Sequence, residues 1–205
     1  MSKKVLIISS SPRKGGNSDT LCDKFAQGAK DAGNEVEKIS LREKKINYCT
    51  GCGLCNTNDY SGCSQKDDMP EILEKMIEAD VIVFATPVYF YTMCGQLKTF
   101  IDRFCSRYTH IIGKEFYFIM TAADGNPHAM DRVLVEFEGL MACLANPHVK
   151  GKLIATGVWQ KGDIEQTDYP QMLSKFLGNI IVDVLAAFGG EFLSRNKETV
   201  PLRFR

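Results

Sequence analysis

Residues 4–18 read KVLIISSSPRKGGNS. The first six, Lys4–Ser9, are a short continuous apolar run, the pattern of a strand buried on both faces of a parallel sheet. From Asn17 to Gly33, Leu21, Phe25 and Ala29 recur at helical spacing, and Gly33 stands where a C-terminal cap belongs. The loop between them, Ser9 to Ser18, therefore joins a strand to a helix start. There, free backbone N–H groups point outward and the helix dipole favours negative charge, which makes an anion site. Ser9, Ser11 and Ser18 offer hydroxyls, Arg13 a charge-assisted hydrogen bond, and Gly15 and Gly16 a backbone able to curl around the anion. Neither the Gly-Lys-Ser/Thr of a Walker loop nor a G-x-G-x-x-G fingerprint is present. The competing reading is a polar turn with a Ser or Asn17 cap. Its place after the first strand of an α/β pattern favours the anion site.

The alternation continues outward. Glu35–Leu41 is a half-polar strand suited to a sheet edge. A helix over Asp68–Ala79 carries Met69, Ile72, Leu73, Met76 and Ile77 on one face, with Asp68 as cap, Pro70 in the first turn and Glu71 placed for a capping box. Asp80–Thr86 (DVIVFAT) is the most apolar strand, followed by a helix over Gln96–Phe104, a strand over Glu115–Thr121, a helix over Ala129–Ala145 and a strand over Lys152–Val158. Tyr169–Phe188 reads as a last helix, ended by Gly189 and Gly190, and 191–205 as a polar tail. Five strands alternating with five helices predict one doubly wound α/β domain over 1–190, with a parallel sheet covered on both faces. Such sheets bind ligands at the carboxyl ends of their strands, where the strand order reverses. The loops after strands one, three and four are the expected site.

Composition narrows the function. Twenty-five basic residues balance twenty-five acidic ones, without like-charged blocks, so charge gives no argument for nucleic acid or an anionic membrane. The apolar run of MSKKVLII is too short for a signal-peptide core and no segment reaches spanning length. The expectation is a cytoplasmic protein, with no nucleic-acid or membrane partner. Of eight cysteines, Cys22, Cys94, Cys105 and Cys143 are scattered in apolar or helical contexts and are expected as small buried hydrophobes. His110, His128 and His148 show no metal spacing.

The third strand runs into TPVYFYTMCGQLKTFIDRF, Thr86 to Phe104. Pro87 is expected to stop the ladder, and Val88, Tyr89, Phe90 and Tyr91 then place bulky groups in a loop at the sheet's carboxyl edge. Exposed aromatics there imply a pocket or an interface, and a planar ring is a natural occupant. SSPRKGGNS together with DDMPEILEKMIEADVIVFATPVYFYTMCGQLKTFIDRF resembles the NADPH-dependent FMN reductase and iron–sulfur flavoprotein group of the flavodoxin-like superfamily. The resemblance covers residues 4–125 well and the rest in pattern only. It implies a flavodoxin-like sheet of order 2-1-3-4-5, with the FMN phosphate on the Ser9–Ser18 loop (Ser9, Ser11, Arg13, Asn17, Ser18). It also implies a ring bordered by Pro87, Val88, Tyr89 and Phe90, and a further wall from the Thr121–Asn126 loop (Thr121, Asp124, Gly125). An ordinary turn is the alternative at Asp124–Asn126. Trp159–Asp163 (WQKGD) lines either the substrate side or a subunit contact.

Strand two leads into a loop, 48–64, containing Cys49-x2-Cys52-x2-Cys55-x7-Cys63, with Gly51 and Gly53 permitting a tight path. A C-x2-C-x2-C start also opens [4Fe–4S] motifs, and the resemblance implies such a cluster. Four cysteines also suit zinc, though zinc more often takes two separated knuckles, and empty or disulfide-forming thiols are the third option. Strands two and three of this order lie about 10 Å apart, so any cluster is expected to exchange electrons with a flavin in the same assembly, across subunits included. The resemblance thus points to an FMN-dependent oxidoreductase working between NAD(P)H or a ferredoxin-type donor and an acceptor, as a homo-oligomer (dimer or tetramer). Its NAD(P)H would stack near Tyr89 and Tyr91. The alternatives are a flavin or quinone reductase without a cluster, and a non-enzymatic carrier or redox sensor. The neutral charge disfavours the last. No catalytic side chain is expected, because a flavin carries its own chemistry.

Overall fold

The computed structural model describes residues 2–56 and 62–178. In chain order the elements are β1 (Lys4–Ser9), α1 (Asn17–Asp31), β2 (Glu35–Ser40), α2 (Met69–Glu78), β3 (Val81–Tyr89), β4 (Thr92–Met93), α3 (Gly95–Asp102), β5 (Glu115–Thr121), α4 (Asp131–Cys143), β6 (His148–Ala155) and α5 (Tyr169–Gly178). The sheet runs β2-β1-β3-β5-β6, all parallel, with β4 folded back antiparallel on the end of β3. Counted over the parallel strands alone, this is the expected order with its reversal between β1 and β3.

Both faces of the sheet are buried, and side-chain alternation divides them. Leu6, Ile8, Ile82, Phe84, Phe116 and Phe118 point to the side covered by α2, α3 and α4. Val5, Ile7, Val83, Tyr117 and Ile119 point to the side covered by α1 and α5. Phe84 stacks on Phe118 and Phe137 at centroid distances of 6.5 and 6.3 Å, filling the middle of the first layer. The second layer is closed by Leu21, Phe25 and Ala29, the predicted stripe of α1. Helix α1 ends at Asp31 with Ala32 as its C-cap, and Gly33 follows in the left-handed region (φ +82°), its N–H donating to the Lys30 carbonyl (2.8 Å).

Several local expectations are corrected. Pro87 does not end β3, which pairs with β5 through Pro87↔Thr121 and continues to Tyr89. Strand β1 ends at Ser9 opposite Ala85, so Pro87 has lost its neighbour on that side, where a missing N–H costs no ladder bond. The last strand spans His148–Ala155 rather than Lys152–Val158, because the chain turns away at Gly157 (φ +72°). Asp68 does not cap α2. Its own backbone is already helical (φ −75°, ψ −6°), so its carboxylate accepts from the Lys45 amide at 2.6 Å, while Asp67 takes the Met69 amide at 3.2 Å. Glu71 pairs with Lys75 instead of closing a capping box. Cys22 and Cys94 are buried as expected, whereas Cys105 and Cys143 are exposed. The C-terminal half of the predicted last helix and the 191–205 tail lie outside the described residues.

Candidate active site

The Ser9–Ser18 loop sits at the carboxyl end of β1 and opens α1 with Gly16 at the cap position and no side-chain cap. The first amides of a helix have no intrahelical acceptor, so they remain available to a ligand. Two glycines are required by geometry. Gly15 has φ +65°, and a Cβ on Gly16 would stand 2.8 Å from Ser11 Oγ. Ser18 Oγ is buried without any hydrogen-bond partner among the described residues. A buried hydroxyl with its hydrogen bond to give, at an uncapped helix start, suits an anion.

The remaining loop side chains divide between structure and display. Ser9 is fully buried and donates to Asp19 at 2.8 Å, so its hydroxyl faces the helix rather than the loop's crown. Asp19 also accepts from the Gly15 amide (2.9 Å) and pairs with Lys38 (2.8 Å) and Arg42 (3.3 Å) while only 3% of its side chain is exposed. Burial alone would raise its pKa, but the Lys38 pair, the Gly15 amide and the Ser9 hydroxyl outweigh it and hold it at about 2. Asn17 is committed at both ends of its amide, donating to the Gln160 carbonyl (2.9 Å) and accepting from the Ile164 amide (3.3 Å). Arg13 reaches the Trp159 carbonyl at 3.3 Å. The WQKGD segment is thereby clamped over the loop, and Lys161 Nζ lies 3.4 Å from where a Cβ on Gly15 would be. Two cations, Arg13 and Lys161, therefore flank the amino end of α1.

Across the same sheet edge, β3 and β4 form a hairpin whose two turn residues are Phe90 (φ 52°) and Tyr91 (φ 64°). Left-handed backbone at two bulky residues costs about 1–2 kcal/mol each, where Asn-Gly would be free of strain. The strain holds aromatic rings in solvent, Phe90 being 97% exposed. Tyr91 hydroxyl meets Asp124 Oδ2 at 3.2 Å, and the Arg132 guanidinium lies 5.9 Å over its ring, joining the hairpin to the loop after β5. Thr121 is buried at the end of β5, and Asp124 also ties that loop to the one after β6, its carbonyl accepting from the Gly157 amide at 3.0 Å.

The cysteine loop leaves β2 and is fastened to the end of α3. Arg103, buried there, gives a two-pronged pair to Asp67 (2.7 and 3.1 Å), reaches the Asn47 carbonyl (2.8 Å), and donates to Cys63 Sγ at 3.3 Å. Cys52 is exposed, and the Leu54 amide and the Ser64 and Thr50 hydroxyls lower its thiol pKa. Cys55 is pushed up to about 11 by burial and by its neighbour Cys105.

A family model for NADPH-dependent FMN reductases matches residues 3–156. The chain belongs to this family. An iron-sulfur flavoprotein of Archaeoglobus fulgidus is 44% identical over 100 residues, which are 49% of this chain and 44% of that protein. An iron-sulfur flavoprotein of Methanocaldococcus jannaschii is 43% identical over 100 residues, 49% of this chain and 51% of that protein. The matched segment spans about half the length of these relatives. Among solved structures, the NAD(P)H:quinone oxidoreductase of Methanothermobacter marburgensis aligns with TM-score 0.66 and 16% identity over 88% of this chain and 98% of its own. The azoreductase AzrA aligns with TM-score 0.68 and 17% identity over 86% and 99%. At such identities the likeness is one of fold, the flavodoxin-like one.

The family's nucleotide fits this edge of the sheet. The orphaned Ser18 hydroxyl, the bare helix start, Gly16 and the two flanking cations suit a phosphate ester. The aromatic hairpin and the 121–125 loop suit a planar ring. A cluster fits less well, since no three His, Cys, Asp or Glu side chains among the described residues converge as a metal site. Sequence reasoning did not single out Asp19, Lys38, Arg42 or Arg103. Their partners lie far along the chain or in irregular loops, and no periodicity marks them. Lys161 entered only within WQKGD, which the sequence assigned to the substrate side or a subunit contact and not to the phosphate loop.

Proposed function

We propose that this chain is an FMN-dependent oxidoreductase that takes electrons from NAD(P)H and passes them to a small-molecule or protein acceptor, acting in the cytoplasm as a homo-oligomer. The observation that carries the reading is the buried Ser18 hydroxyl, without a partner among the described residues, at an uncapped helix start beside a strained aromatic hairpin. The backbone amides at the start of α1, Ser11, Ser18, Arg13 and Lys161 would hold the phosphate; Ser9 and Asn17 would act by shaping the loop through Asp19 and the WQKGD segment. Pro87, Val88, Tyr89 and Phe90 would border the ring on one side and Thr121, Asp124 and Gly125 on another. Bound FMN supplies the hydride and electron chemistry. The protein's part is to orient the ring against the hairpin, exclude water from the phosphate and keep a face open for a nicotinamide near Tyr89 and Tyr91.

The test is a fluorescence titration of the purified chain with FMN, followed by NADPH and NADH oxidation with quinone and ferricyanide as acceptors. Saturable binding with donor-dependent turnover supports the reading, and a chain that rejects FMN refutes it.

A second reading adds a [4Fe–4S] cluster on Cys49, Cys52, Cys55 and Cys63. It is favoured by their spacing and by relatives named iron-sulfur flavoproteins. The sulfurs as placed would have to move together to bind it. Iron, sulfide and zinc analysis after anoxic purification distinguishes cluster, zinc and bare thiols.

A further inference from the structure

The cysteine loop holds a contact that the four-cysteine spacing does not foresee. The short turn Leu54–Asn56 packs on the turn Phe104–Ser106 that follows α3, with Cα atoms within 8 Å of one another. Cys55 and Cys105 meet there, their thiols within hydrogen-bonding reach. No disulfide joins them. The rest of the loop is already anchored beside them, because Arg103, two residues before Cys105, donates to Cys63 Sγ and is paired with Asp67. Cys63 is thus taken by a guanidinium. Cys49 and Cys52 face solvent, Cys52 lying 3.8 Å from Ser64 Oγ. Cys55 is thus placed against a cysteine from outside the motif.

We propose that Cys55 and Cys105 form a reversible disulfide, a thiol–disulfide exchange site whose reaction partners are low-molecular-weight disulfides. Cys105, the more exposed sulfur, meets the oxidant first. Its thiolate attacks one sulfur of RSSR, the S–S bond breaks, and the first RSH leaves with a mixed disulfide on Cys105. Cys55 then attacks Cys105, expelling the second RSH. The protein loses two electrons and two protons, and RSSR is reduced to two thiols. The link stitches the loop after β2 to the end of α3 without disturbing the sheet. It also removes Cys55 from any ligand set, so oxidation and metal loading exclude each other. That consequence rests on the cluster reading; the disulfide does not.

The experiment equilibrates the full chain under nitrogen in oxidised and reduced glutathione buffers, blocks free thiols by alkylation and maps tryptic peptides without reduction. Cys105 falls in residues 104–107 (FCSR), and the motif cysteines fall together in 46–66. The expected product is a linked pair of these peptides, with fragmentation placing the bond at Cys55. It should be accompanied by loss of two titratable thiols per chain and be reversed by dithiothreitol. Cys105→Ser and Cys55→Ser should each abolish the link, and the wild-type map decides the matter even if a variant misfolds. Full alkylation of Cys105 after oxidation, or a bond from Cys105 to a different sulfur, overturns the proposal. Anoxic iron reconstitution, run in parallel, separates the two ideas. A chain that links but never takes up iron supports the disulfide and ends the cluster reading, whereas one that loads iron and never links ends the disulfide.

Discussion

Asp19→Asn tests how the anion loop is held in shape. Asp19 sits inside the first turn of α1, fastens the Gly15 amide and accepts from Ser9, and its charge is matched by Lys38 and Arg42. Its folded pKa of about 2 lies below the ordinary 3.8. That difference corresponds to about 2.5 kcal/mol of stability at pH 7. The folded value is depressed, so the contribution is complete above pH 3.8 and is lost as pH falls through 2. At pH 3 about half remains, about 1.3 kcal/mol. A broken buried ion pair can cost about 3–5 kcal/mol when a charge is stranded, but here the cations keep partners: Lys38 still has Asp23 at 2.6 Å and Arg42 has Glu43 at 2.8 Å. Asparagine also retains one acceptor for the Gly15 amide or the Ser9 hydroxyl. The smaller figure is therefore the expected one. Urea unfolding of both proteins at pH 7, 5, 4 and 3 reads it directly. The variant should be about 2.5 kcal/mol less stable at neutral pH, with the gap closing below pH 4. A gap under 0.5 kcal/mol at pH 7, or one that stays constant down to pH 3, would show that the carboxylate is not paired as described.

The other predictions concern the site and its supports. Arg13→Ala should weaken FMN binding by about 1.5–3 kcal/mol, the worth of a hydrogen bond to a charged group, and unchanged affinity in the fluorescence titration would remove it from the phosphate site. Replacing Phe90, which is 97% exposed, by Gly should relieve about 1–2 kcal/mol of left-handed strain while reducing FMN affinity; a melting temperature that falls would contradict the strain argument. Arg103→Met should destabilise the fold by about 3–5 kcal/mol by stranding Asp67, since their side chains are only 1% and 0% exposed. The double replacement with Asp67→Leu should recover most of that loss in the same urea assay. Cys52→Ser should abolish any bound iron and leave FMN binding intact; full iron stoichiometry in the variant would take Cys52 out of a ligand set.

How much was legible follows from where each signal is stored. Strand β1, its loop and α1 could be read directly, because continuous apolar residues, two adjacent glycines and a helical stripe are patterns confined to neighbours in the chain. Alternation and right-handed crossovers gave a doubly wound parallel sheet; its strand order came from the family resemblance. Pro87 was misread because a proline's cost depends on which side of its strand still has a partner, and that depends on where β1 stops. Cys105 was misread as a buried hydrophobe because the helical pattern was carried to Phe104, whereas α3 ends at Asp102 and Cys105 lies exposed in the turn Phe104–Ser106.

By itself, then, the order of residues determined the α/β class, the glycine-rich strand-to-helix loop on which an anion site is expected, the aromatic edge after the third strand and the grouping of the four motif cysteines. Only the tertiary structure decided which of those groups are free. It spent Ser9 and Asn17 on supporting the loop, left the Ser18 hydroxyl without a partner among the described residues, brought Lys161 over Gly15 and set Cys55 against Cys105. The reason is physical: propensity and periodicity act over a few residues. Hydrogen-bond satisfaction and charge pairing are settled among side chains that are far apart in the chain and meet only when the sheet is assembled.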